Sequence, residues 1–183
     1  MVLLASLPSA LIALLAGDVI DEAFSSPIVA SAGLLVTGVV LFLSRAAGKR
    51  ASSSSPGVLT TVGFGRAIVV GLAQAFAIAP GVSRSGMTIA AGLMTGVSRE
   101  DSARFSFLLA IPAVLGGALL DFREAGGPVL TPAAVTGAVV SFVAGILALG
   151  VVFRAVRRGD LSKFAYYCWA VGLPSLIWFL SRR

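Results

Sequence analysis

Apolar residues run along this chain in long blocks separated by short polar joints, without the alternation of a strand or the single stripe of a surface helix. Residues 28–43, 103–120, 133–153 and 164–180 each read as a membrane-spanning helix. Residues 1–16 read as another, a little short of the ~20 residues that a span prefers. A cleavable leader competes for that stretch, but no Lys or Arg precedes Arg45, so a charged n-region is missing. The joints differ in character. Asp18, Asp21 and Glu22 mark an acidic loop, and Arg45, Lys49 and Arg50 open a linker whose Ser52–Ser55 run reads as flexible. The 121–131 joint mixes two acids with Arg123, and a basic joint sets Arg154, Arg157, Arg158 and Lys163 against Asp160. Tyr166, Tyr167, Trp169 and Trp178 suit the interfacial ends of the last helix.

One apolar stretch breaks the pattern. Residues 67–80 are too short to span and end at Pro80-Gly81, while residues 87–95 form a second short helix. Two short segments meeting at a Gly/Pro-rich polar turn predict a re-entrant pair over 67–97, against the alternative of one long kinked helix. Gly92 and Gly96 form a GxxxG pair suited to close helix packing. A re-entrant pair makes the Arg45–Arg66 linker and the Arg154 joint share the cytoplasmic side, as the positive-inside rule asks; a full crossing would separate them. Only Arg182 and Arg183 then fall on the unexpected side. The fold class expected is all-α integral membrane, with about five spanning helices plus one re-entrant pair.

Composition agrees. The chain has 183 residues, 57% hydrophobic and 12% charged, too few charges for a soluble domain of this size. The net charge of +6 is accounted for by short loops that orient the protein, which disfavours a nucleic-acid partner. Cys168 stands alone, so there is no disulfide framework. Histidine is absent, which excludes His-based catalysis and most zinc sites within the chain; no metal ligand set is expected from these residues.

Arg84 is the only charged residue between positions 67 and 97. A guanidinium at membrane depth is costly unless it faces a cavity or a partner, and the nearest segments carry no carboxylate. Gly81 and Gly86 allow a sharp turn and close approach, and Ser83, Ser85 and Thr88 offer hydroxyls. A helix starting near Ser85 would add free N–H groups from Ser85 to Met87 and a positive dipole end. Together these make an anion site, most simply for phosphate. Plainer roles compete: Ser83 and Ser85 as helix caps, Thr88 bonded to its own backbone, both glycines structural, and Gln74 packed against a neighbouring helix rather than lining the same cavity.

The run Pro80-Gly81-Val82-Ser83-Arg84-Ser85-Gly86-Met87-Thr88 resembles the second signature motif of the undecaprenyl-diphosphate phosphatase family, the bacitracin-resistance membrane phosphatases. The similarity continues through Gly71-Leu72-Ala73-Gln74 before it, and through Thr95-Gly96-Val97-Ser98-Arg99 and Phe105–Pro112 after it. The resemblance implies a multi-pass protein of the bacterial inner membrane that hydrolyses a polyprenyl diphosphate to the monophosphate carrier for cell-wall synthesis. Arg84, Ser83, Ser85 and Thr88 would be catalytic, and Gly81, Gly86 and Gln74 would bind substrate. It also implies an inverted repeat, in which residues 1–43 are the last two spans of a first copy, 44–66 a cytoplasmic linker, and 67–183 a second copy. The partners implied are the polyprenyl diphosphate lipid and the membrane, with a homo-oligomer left open.

The family's first motif, a glutamate-rich stretch followed by a Pro-x-Ser-Ser-Thr-Gly-His loop, is not found here. It would supply carboxylates, a histidine and the site of a divalent cation, Mg or Ca. Either the sequence is N-terminally incomplete, as its opening inside a helix suggests, or this is a short form that needs a partner or has lost activity. Two other functions compete with hydrolysis: an anionic-lipid transporter or flippase, and a non-catalytic phosphate-binding remnant.

Overall fold

The computed structural model describes residues 1–51, 62–124, 131–159 and 161–182. The serine-rich linker, residues 125–130, Asp160 and Arg183 lie outside these. Among the described residues the chain is all helical, in the order α1 (Val2–Leu15), α2 (Gly17–Phe24), α3 (Pro27–Ala51), α4 (Phe64–Phe76), α5 (Arg84–Met94), α6 (Arg99–Glu124), α7 (Pro132–Arg158) and α8 (Leu161–Ser181).

Four of these helices, α3, α6, α7 and α8, are long and apolar enough to cross a membrane, and α1 with α2 makes a fifth crossing if that bent pair counts as one. The protein is a multi-pass membrane protein. The acidic loop expected at Asp18, Asp21 and Glu22 is instead helix α2, turned 82° from α1. Its acids alternate with Val19, Ile20, Ala23 and Phe24 at helical spacing, and Asp18 in the first turn favours the helix dipole.

Residues 64–94 form a helical hairpin. Ala67 and Val70 near the start of α4 share a buried cluster with Ala91 near the end of α5 and Val97 just beyond it, so the two arms run antiparallel. At 13 and 11 residues, the arms are about 20 and 16 Å long, and neither crosses a hydrocarbon core of ~30 Å. The single kinked helix is thereby ruled out. Of the expected GxxxG pair only Gly92 lies at a close approach, where a Cβ would press on Ser102 of α6. Gly96 lies beyond the end of α5, at φ +81°, turning the chain into α6.

The start of α1 packs on this hairpin through Ala5, and α6 through Phe105 and Leu109. On the far side α3 pairs with α8 through glycines: a Cβ on Gly38 would collide with the Trp169 indole, and Gly172 sits against Leu34 and Ser31. Phe42, Tyr166 and Trp169 stack beside that contact. Helix α7 stands apart, its spanning stretch unburied by the other described residues. Charge segregates by end. Glu100 at the start of α6 receives both Arg104 at 2.6 Å and Arg157 of α7 at 2.9 Å, which puts the basic end of α7 beside the open end of the hairpin. At the opposite end, Arg182 lies over the Trp178 ring, 4.0 Å from its centroid.

Candidate functional site

The hairpin tip, residues 77–83, is fastened to α3 backbone to backbone. Gly81 adopts φ +80°, and a Cβ there would collide with the Ala30 carbonyl. From the other side, a Cβ on Gly33 would collide with the Pro80 carbonyl. Only glycine on both surfaces permits this approach. Thr37, buried on α3, locks the tip. Its hydroxyl accepts from the Ser83 N–H at 3.0 Å, and donates toward the Gly33 and Gly81 carbonyls at 3.0 and 3.3 Å.

Ser83 is the N-cap of α5, its hydroxyl accepting from the Gly86 N–H at 3.2 Å, while its carbonyl takes the Met87 N–H at 2.9 Å. The sequence expectation placed the free donors at Ser85 to Met87; the cap consumes those of Gly86 and Met87. Among the described residues the unmatched N–H groups of the first turn are therefore those of Arg84 and Ser85. A Cβ on Gly86 would crowd Ser83 Oγ at 3.0 Å, so this glycine protects the cap.

A cavity of about 570 Å³ opens beside the tip. Ser6, Ser9, Gln74 and Arg84 make its polar part. Its apolar part is a trough between Leu14 and Phe24 on one side and Pro112, Gly116, Gly117 and Leu120 of α6 on the other. Pro112 lies about 20 Å along α6 from Arg99, so Arg84 stands deep in the hydrocarbon zone. Among the described residues no carboxylate pairs with it. Placing a guanidinium at such depth costs about 2.5–3.5 kcal/mol on insertion scales, and among the described residues no acid offsets that.

Gln74 faces two ways. Its Nε2 donates to Ser9 Oγ at 2.7 Å, and Ser9 in turn donates to the Ser6 carbonyl at 2.9 Å. Its Oε1 has no partner, and among the described residues it is the one buried side-chain polar atom so left. An orphan of this kind costs about 1–3 kcal/mol. Gln74 thus both binds a neighbouring helix and offers an acceptor in the cavity wall.

The remaining expected residues separate. Ser85 is half-buried on the first turn of α5, next to Arg84 but outside the cavity lining, and among the described residues its hydroxyl has no partner. Thr88 is buried away from the cavity, bonded to the Arg84 carbonyl at 2.9 Å and to Ser106 Oγ of α6 at 2.6 Å. Thr37, Ser9 and Ser106 were not singled out from the sequence. Each is a hydroxyl inside an apolar run, and that is the signal that could have found them.

The donor set fits an anion. No carboxylate lines the cavity, and no group of three or more His, Cys, Asp or Glu among the described residues is arranged to hold a metal ion. The residues present do not fit a divalent cation.

The family model for bacitracin resistance protein BacA matches residues 1–174. The undecaprenyl-diphosphatase of Desulforapulum autotrophicum is 39% identical over 181 residues, covering 97% of this chain and 63% of that protein. The undecaprenyl-diphosphatase of Methanothermobacter thermautotrophicus is 41% identical over 178 residues, 96% of this chain and 97% of that protein. The one from Rhodopirellula baltica is 42% identical over 178 residues, with 94% and 67% covered. The chain therefore spans less than two thirds of the first of these relatives and nearly the whole of the second.

Proposed function

The chain belongs to the bacitracin resistance protein BacA family, and from that premise we propose that it is an undecaprenyl-diphosphate phosphatase. Water attacks the terminal phosphorus, the bridging P–O bond breaks, and inorganic phosphate leaves the monophosphate lipid behind. The observation that carries this reading is Arg84, half-buried and, among the described residues, without a counterion, in a cavity shared with an apolar trough.

Phosphoryl transfer needs positioning and charge stabilisation above all. The planar guanidinium grips two phosphate oxygens at once. The unmatched N–H groups of Arg84 and Ser85 supply further donors at the positive end of α5. Gln74 Oε1, an acceptor, repels a bare phosphate oxygen and so takes a donor: the attacking water or a protonated phosphate oxygen. The trough along α1 and α6 receives the isoprenoid chain. Ser83 and Thr88 act indirectly, as the cap and the anchor of α5. A divalent cation, Mg or Ca, would supply charge neutralisation in this family; the cavity's own residues do not fit one, and the roles above do not depend on it.

The test is phosphate release from a polyprenyl diphosphate by the purified chain in vesicles, with and without added Mg²⁺ or Ca²⁺. The proposal expects release by the wild type and its loss in Arg84→Ala, with partial retention in Arg84→Lys. Lipid translocation without phosphate release would instead identify a flippase, and diphosphate binding without turnover a non-catalytic binder.

A further inference from the structure

A second charged site lies at the opposite end of the molecule from the acidic helix α2. Where α7 meets α8, a groove of about 420 Å³ is lined by Arg154, Arg158, Lys163 and Tyr167 over the apolar side chains of Val151 and Phe164. A smaller pocket of about 350 Å³ on the other flank of α7 shares Arg154 and Arg158 with it. We propose that this groove binds an anionic phospholipid, with the phosphate head between Arg154, Arg158 and Lys163 and an acyl chain along Val151 and Phe164.

Charge balance is the first argument. Arg154 and Arg158, one helical turn apart, project from the same face of α7. Among the described residues the carboxylate at this end of α7, Glu100, is already occupied by Arg104 and Arg157. Among the described residues no acid answers Arg154 or Arg158. Like charges at this spacing repel, and an anion between them removes the repulsion.

Position is the second argument. The spanning stretch of α7 is unburied within the described residues, which leaves it open to acyl chains. The groove lies where that stretch gives way to basic residues, at headgroup depth. Gly159, at φ +72°, ends α7 immediately after Arg158, and α8 begins at Leu161, so the two helices converge there. Tyr167, exposed on α8, places a hydroxyl at the same level. A soluble anion would use the cations and leave the apolar wall empty; a phospholipid uses both. Neither pocket shares a residue with the cavity at Arg84, so this inference stands apart from the proposed hydrolysis.

The experiment is native mass spectrometry of the full chain released from detergent, titrated with phosphatidylglycerol and with phosphatidylcholine. Phosphatidylglycerol should bind tighter, and the double variant Arg154→Gln/Arg158→Gln should weaken it about 30-fold, at roughly fivefold per cation. A control of equal charge loss, Arg45→Gln/Arg104→Gln, should leave that affinity within about twofold. Val151→Trp, which fills the apolar wall without changing charge, should also weaken phosphatidylglycerol. Equal binding of the two lipids would overturn the proposal. So would equal losses in the double variant and its control, which would mean diffuse attraction, or full competition by inorganic phosphate, which would mean a soluble-anion site.

Discussion

Replacing Thr37 by valine removes one hydroxyl at nearly constant shape, and it tests how the hairpin tip is held. That hydroxyl is the acceptor for the Ser83 N–H and also donates toward Gly81. Thr37 is 1% exposed, so no water enters to replace it. The Gly33 carbonyl keeps its helical partner, which leaves the Ser83 N–H as the main loss. An unmatched buried donor costs about 1–3 kcal/mol. Hydrogen bonds between membrane helices average nearer 0.6 kcal/mol, with a maximum of about 1.7. The expected cost is therefore about 1–2 kcal/mol, a fall of roughly 2–8 °C in unfolding midpoint for a chain of this size. The loss falls on the residue that caps α5, so inorganic pyrophosphate should bind about 5–30 times more weakly. Thermal unfolding in detergent and equilibrium dialysis with labelled pyrophosphate read the two effects. Thr37→Ser keeps the hydroxyl and should stay close to wild type. If Thr37→Val matches wild type in both assays, the latch is not what shapes the tip; if Thr37→Ser is as weak as Thr37→Val, the methyl contact matters instead.

Thr88→Val should lower the unfolding midpoint through the loss of its bond to Ser106, by about 1 kcal/mol, while leaving pyrophosphate affinity near wild type; a loss of binding at full stability would return Thr88 to direct contact with the anion. Gly117 lines the trough with open space where a side chain would go. Gly117→Leu should therefore fold normally and weaken a long-chain polyprenyl diphosphate about tenfold or more, with inorganic pyrophosphate unaffected. Equal effects on both ligands would move the isoprenoid site elsewhere.

The spans were legible because a bilayer reads only length and hydropathy, and residues 28–43, 103–120, 133–153 and 164–180 satisfy both. The hairpin was legible because Pro80-Gly81 marks the turn between two short helices and Ser83 starts the second, although the first ends earlier, at Phe76. Arg84 stood out as a charge with no local partner. Helix α2 was misread because three acids close together resemble a loop, whereas their spacing leaves Val19, Ile20 and Phe24 for one face. The contacts of Thr37 with Ser83 and of Thr88 with Ser106 depend on the register between helices, which no local pattern encodes. Gly96 showed the same limit, since a GxxxG spacing does not reveal that its second glycine lies past the helix end.

The account rests on Arg84 as the anion-gripping group of the cavity. The most direct measurement is the equilibrium dissociation constant of a polyprenyl diphosphate for the purified chain and for Arg84→Gln, compared in the same detergent. Loss of a buried charge-assisted contact predicts a constant raised about 30-fold or more, with the fold retained. An unchanged constant in a folded Arg84→Gln protein would contradict the account.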